Sequence, residues 1–298
     1  MRKQGEIKMA EKILIGCSGW SYDDWMGAFY PKTITKKDFL HYYTRIYYTN
    51  EINTTFYHIP SRWMVKSWAE RSPDDFVFSA KLPRVITHEN KLDIDNCYGE
   101  LEIYLDAMEP LISADKLLAF LIQLPPSFEK EEHFNNLKNF INAWPSEYKS
   151  ENYNLAVEFR NKSWMNEEAF TFLREKELTY CAVIEPLLPP RMDITNQKLS
   201  YIRFHGFGKK PWFNYLFSED QIRDYAGKIK KHALNAETVV IYFNNHFSGY
   251  APKNSLMMME ELNLKPRNKP EDVNVLDIKK ESGTMDKDQT SLDTFLNK

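Results

Sequence analysis

The chain predicts a (β/α)8 barrel of the TIM type followed by a disordered C-terminal tail. Three observations predict it. Eight short apolar runs alternate with helix-like stretches over about 250 residues, the count and size of such a barrel. The runs are nearly continuous in apolar side chains, as parallel strands covered by helices on their outer face require. Their C-terminal ends carry acids, amides and cations where a purely structural core would place Val, Ile or Leu.

The elements follow in order. Residues 13–18 (ILIGCS) read as the first strand, and an aromatic, acidic loop, GWSYDDWMGAFYP, comes after it. Phe39, Leu40, Tyr43 and Ile46 recur at helical spacing within 36–48, ahead of a second strand holding NEINTT. Ser61 is placed to cap a short helix, RWMVKSWAE, which Ser72-Pro73 ends. The third strand is 76–81, and a helix over 97–111 leads to a fourth, LLAFLIQ, stopped by Pro125-Pro126. A helix over 130–143 precedes the fifth strand, YNLAVEFR, and one over 166–175 precedes the sixth, TYCAVI. No helix is evident between Glu185 and Lys198, the one gap in the alternation. The seventh strand is SYIRFHG, followed by an aromatic and basic loop, GFGKKPWFNYLF. Ser218 and Gln221 form a capping-box pattern that opens the next helix, and the eighth strand, TVVIYFNN, leads to a last helix over 253–262. A doubly wound open sheet is the alternative, but Gly16-Cys17-Ser18-Gly19 lacks the spacing of a dinucleotide-binding turn. The barrel is expected over 13–264, with an N-terminal extension at 1–12 and a flexible tail at 265–298.

Composition narrows the function classes. The net charge of -3 and pI of about 6.2 give no global basic field for nucleic acid, so any such binding needs a local patch. Aromatic residues make up 14% of the chain, enough to furnish stacking surfaces besides the core. Cys17, Cys97 and Cys181 are widely spaced and odd in number, which argues against a disulfide framework and for a reducing compartment. With no apolar run long enough for a bilayer and no signal-like start, a cytoplasmic protein is expected.

The strand ends hold the candidate site. Glu51 and Asn53 are two apart on one strand and share a face. Further round lie Ser18, Lys81, Gln123, Glu158, Arg160, Glu185, Arg203, His205, Asn244, Asn245 and His246. Glu51 and Glu158 are a carboxylate pair suited to acid–base chemistry, with His205 and His246 as proton shuttles. Lys81, Arg160 and Arg203 could bind phosphate or carboxylate. Asn53, Gln123, Asn244, Asn245 and Asn254 suit sugar hydroxyls or base edges, and Trp164 suits stacking. The structural alternative is a satisfied ion-pair network, such as Glu158 with Arg203 or Lys81. The sequence leaves the cofactor unknown. A divalent metal on the histidines and acids is conceivable, but no HxH or HExxH spacing supports it.

The segments GCSGW (16–20), EINTTFY (51–57), FSAK (78–81), QLPPSF (123–128), EFRNKSW (158–164), RFHG (203–206) and NNHFSGYAPKN (244–254) resemble the YecE-like family, domain-of-unknown-function family 72. The resemblance spans roughly 13–262 and implies a TIM-type barrel. It implies no reaction.

Beyond the barrel, Gln289, Leu292, Phe295 and Leu296 match the Q-x-x-L-x-x-F-L pattern of a sliding-clamp (PCNA) interaction peptide. Such a segment would fold on binding, with its three apolar side chains as a plug in the partner's groove. Together these features lead to the expectation of a phosphodiester or N-glycosidic hydrolase of nucleic-acid metabolism, recruited to the clamp by its tail. An enzyme of small sugars or sugar phosphates and a non-catalytic nucleotide-binding module are the alternatives.

Overall fold

The computed structural model describes residues 13–148, 153–209, 211–274 and 277–278. The clamp-like motif at 289–296 and the extension at 1–12 lie outside the described residues.

Eight parallel strands form the sheet: β1 (Ile13–Cys17), β2 (Thr49–Ile52), β3 (Val77–Lys81), β4 (Leu117–Gln123), β5 (Asn154–Glu158), β6 (Thr179–Ile184), β7 (Leu199–Phe204) and β8 (Thr238–Phe243). Their order is β1-β8-β7-β6-β5-β4-β3-β2, so neighbours in sequence are neighbours in space and β1 pairs with β8. Among the described residues, seven α-helices accompany them: α1 (Phe39–Thr44), α2 (Arg62–Glu70), α3 (Ile94–Ser113), α4 (Lys130–Asn142), α5 (Glu167–Glu175), α6 (Glu219–His232) and α7 (Tyr250–Glu261). The gap expected between the sixth and seventh strands is present: residues 185–198 cross from β6 to β7 without a helix.

Local chemistry sets the helix starts. Ser61 Oγ accepts the Met64 amide at the head of α2, and Asn166 Oδ1 accepts the Ala169 amide at the head of α5. Ser218 and Gln221 form the full capping box of α6. The outer faces of the strands and the helices share one large apolar core. The lumen is lined separately by Ala119, Leu121, Ala156, Cys181, Val183 and Tyr201 among others.

The barrel closes at the β1–β2 seam by unusual means. One bridge, Ser18 to Glu51, joins the strands, with the Gly19 amide donating to Glu51 O at 2.7 Å. Below it, side chains replace the missing ladder. Tyr43 OH accepts the Cys17 amide at 2.7 Å and donates to Thr49 O at 3.1 Å, and Asn50 Nδ2 donates to Cys17 O and Gly19 O. Gly16 is required here, because a Cβ would stand 2.3 Å from Thr49 O.

The chain stays docked past the boundary expected at 264. The Arg267 amide donates to Ile46 O, its guanidinium pairs with Asp75, and Tyr42 OH donates to Pro270 O. Two fixed ion-pair contacts and backbone bonds explain the difference, since a polar composition reads as a tail when its partners are far away in sequence. Among the described residues, no helix is long and apolar enough to cross a membrane.

Candidate functional site

The alternation of β2 places Glu51 in the lumen, with Asn53 two residues later at the rim, and β7 does the same for Tyr201, Arg203 and His205. Arg203 is the keystone. Its Nη2 donates to Glu51 Oε1 at 2.7 Å and its Nη1 to Glu158 Oε2 at 2.5 Å. Glu51 is completed by Ser18 Oγ and Tyr201 OH, both at 2.6 Å. Glu158 is completed by Arg160 Nε, and Arg160 Nη1 pairs with Glu185. Below this layer a hydroxyl chain, Thr49–Tyr242–Ser79, fills the lumen at 2.6 and 3.0 Å.

Such burial is tolerable only because every charge meets its opposite. Burial alone would raise Glu158, but Arg160 and Arg203 outweigh it and hold its carboxyl well below the usual carboxylate range. Burial, helped by Glu158, raises Glu185 despite Arg160. Burial and the cations of Arg160 and Arg203 hold His205 well below its usual range, so it is a neutral imidazole.

The neutral ring fixes a hydrogen-bond direction. Arg160 Nη2 can only donate, so His205 Nε2 accepts at 2.9 Å and the ring proton sits on Nδ1. Nδ1 lies 2.9 Å from the Asn244 amide, whose other end faces Asn53 at 3.4 Å. With both amides turned so that Asn244 Oδ1 accepts from His205 and Asn53 Oδ1 accepts from Asn244, the otherwise unpartnered Asn53 Oδ1 is satisfied. Arg160, His205, Asn244 and Asn53 then form one directed hydrogen-bond chain, and the Asn53 NH2 takes the buried position at which no protein partner is found.

Above this floor opens a cavity of about 970 Å3. Lys81, Gln123, Arg160, Arg203, His205, Asn53 and Asn244 line its base, and Trp20, Tyr22, Phe56, Tyr57, Trp68, Trp212 and Phe213 its walls. The expected site residues therefore divide. Glu51 and Glu158 lie fully buried beneath the floor and do not line the cavity, as in the ion-pair alternative, because both carboxylates are consumed by arginine and hydroxyl donors. His246 lines the wall, stacked on Tyr22 with centroids 4.7 Å apart and beside Phe213. Three expected ligand-binding residues point elsewhere. Trp164 is stacked on Phe159 and donates to Phe128 O, while Asn245 and Asn254 bond each other and the backbone of Tyr215 and Phe217. Asp24, whose role the sequence does not suggest, accepts the Ser248 amide at 2.5 Å, where the chain turns at φ 52°. Among the described residues, no group of three or more His, Cys, Asp and Glu side chains is arranged to hold a metal ion.

Sequence reasoning missed Tyr201, Ser79, and the wall from Thr54 to Trp68. Tyr201 was within reach, since it shares the alternation of Arg203 and His205. The wall was not, because it comes from a loop and α2 folded over the barrel mouth.

Residues 14–275 match the family model described as "Protein of unknown function DUF72". The chain belongs to this family. It is 24% identical to the UPF0759 protein YunF of Bacillus subtilis over 85% of this chain and 95% of that one. Crystal structures of DUF72 family proteins from Thermotoga maritima and Enterococcus faecalis are similar. The first has 30% identity and a TM-score of 0.75, covering 85% of this chain and 99% of that one. The second has 26% identity and a TM-score of 0.74, covering 86% and 98%. The family brings a fold and no reaction.

Proposed function

We propose that the cavity takes a small ligand that joins an anionic group to a planar or sugar ring, such as a nucleotide or sugar phosphate. One observation carries this reading: Arg160, Arg203 and Lys81 face the cavity, whereas Glu51, Glu158 and Glu185 stand behind the arginines. The formal charges of these six groups cancel, so attraction for an anion is local and comes from which sign faces the ligand. The aromatic walls then bury the ring. In this reading Glu51 and Glu158 orient the arginines, and His205, expected as a proton shuttle, instead serves with Asn244 and Asn53 as a hydrogen-bonded support of the floor, because both of its ring nitrogens are engaged.

Thermal melts against nucleoside phosphates and sugar phosphates test this directly. A ligand at 100 times its Kd stabilises by about 2.7 kcal/mol, roughly 5–10 °C for a domain of this size. Arg160→Met is expected to remove the shift. No shift from any phosphorylated ligand would contradict the reading. Hydrolysis within nucleic-acid metabolism is its narrower form and draws support from the clamp-like residues Gln289, Leu292, Phe295 and Leu296. Binding to the organism's own sliding clamp, lost in Phe295→Ala, is the outcome that form requires.

A further inference from the structure

Lys81 ends β3 and reaches into the cavity, yet it is bound unlike the other floor cations. Its backbone is fixed, with Thr55 Oγ1 and Tyr104 OH both donating to Lys81 O at 2.6 and 3.2 Å. Its ammonium makes no ion pair or hydrogen bond among the described residues and sits 3.6 Å from the centroid of the Phe56 ring. The nearby carboxylates are taken: Glu51 by Arg203, Glu158 by Arg203 and Arg160, and Glu185 by Arg160. The charged and titratable groups around it are Arg203 and Arg160, which repel its proton, Glu158 and Glu51, which attract it, His205 on the same floor, and His88, which shares the Phe56 ring. Burial, then repulsion by Arg203, bring the amine down to about 7 from an ordinary 10.5. The Phe56 face favours the ammonium, whereas burial and the two guanidiniums oppose it; arginines suffice to hold an anion, and an amine without an ion pair in the same cavity suits a nucleophile.

We infer that Lys81 captures an aldehyde or ketone group of the ligand as an imine. The neutral Nζ attacks the carbonyl carbon, the C=O π pair moves to oxygen, and a proton passes from nitrogen to that oxygen to give the carbinolamine. Loss of the hydroxyl together with the remaining N–H proton releases one water and leaves the C=N bond. No oxidant or reductant is needed. The ligand class is therefore a carbonyl compound, and its anionic group rests on the reading proposed above.

The full-length protein is treated near pH 7 with pyridoxal 5′-phosphate, or with pyridoxal, then reduced with borohydride and mapped by peptide mass. Borohydride adds hydride across C=N and locks the aldehyde on as a secondary amine. A lysine brought to about 7 holds on the order of a thousand times more free amine at that pH than an ordinary one. Lys81 is expected to label at least about 100-fold faster than exposed lysines such as Lys32 and Lys66. Substoichiometric aldehyde should give an imine absorbance that Lys81→Met removes without lowering the melting temperature. Lys81 labelling at the rate of the exposed lysines with both aldehydes overturns the inference, even where phosphorylated ligands still stabilise the protein. Rapid labelling of Lys81 by both aldehydes alike supports the inference and counts against the anionic part of the earlier reading.

Discussion

Arg203 holds two buried carboxylates apart and in place, so its removal is the most costly single change at the floor. Arg203→Met leaves Glu51 and Glu158 each short of a cation, and a penalty of about 3–5 kcal/mol is expected in chemical denaturation. A loss below about 1 kcal/mol would mean that the network does not hold the fold. Lys81 gives the opposite sign. Its amine titrates at about 7 in the folded chain and near 10.4 when unfolded. Between those values the unfolded chain binds more protons, so stability rises with pH through that window, and the cost of the buried charge is fully present below about 7. Lys81→Met should therefore stabilise the protein by roughly 1–3 kcal/mol near pH 6, with the gain fading toward pH 10. A gain independent of pH would show that the amine keeps its ordinary titration. At this scale the sequence was informative about faces and left the partners open, with the Glu158–Arg203 pair that forms among those it offered. Alternation put Glu51 and Arg203 in the lumen, but whether a carboxylate there meets a ligand or an arginine depends on the strand opposite. Trp164 and Asn254 share this fault: residue type suggested binding, and packing turned them into the core.

The elements were legible because each strand's apolar run is local, as are the side-chain caps of α2, α5 and α6. Ser61 and Ser218 cap as their spacing implies, and the helix-free crossing from β6 to β7 could be read directly. The β1–β2 seam was not legible, because it depends on side chains borrowed from α1 and β2. Tyr43 OH is both acceptor for the buried Cys17 amide and donor to Thr49 O. Tyr43→Phe strands two buried backbone groups and is expected to cost about 1–3 kcal/mol. Hydrogen exchange should report it locally, as faster exchange of the Cys17 amide with the β7–β8 amides unchanged. Uniform acceleration across all eight strands would contradict a role confined to the seam.

For the whole molecule, the barrel supplies a rigid charged floor and the loops after β1, β2 and β7 supply an aromatic collar. The two parts differ in how they can be found. Floor residues announce themselves as polar interruptions at the ends of apolar runs. Collar residues such as Tyr57, Met64 and Trp68 sit in segments whose patterns are those of any amphipathic loop or helix, and only the tertiary fold brings them over the mouth. The measurement that bears most directly on this arrangement is a crystal structure with whichever phosphorylated ligand gives the largest thermal shift. The phosphorus is expected within hydrogen-bonding reach of Arg160 and Arg203, with the ring against the Trp20, Tyr22 and Phe213 side. A ligand seated instead outside the barrel mouth, for example in the groove between α2 and α3 beside Trp63, would contradict the assignment of the floor as an anion site.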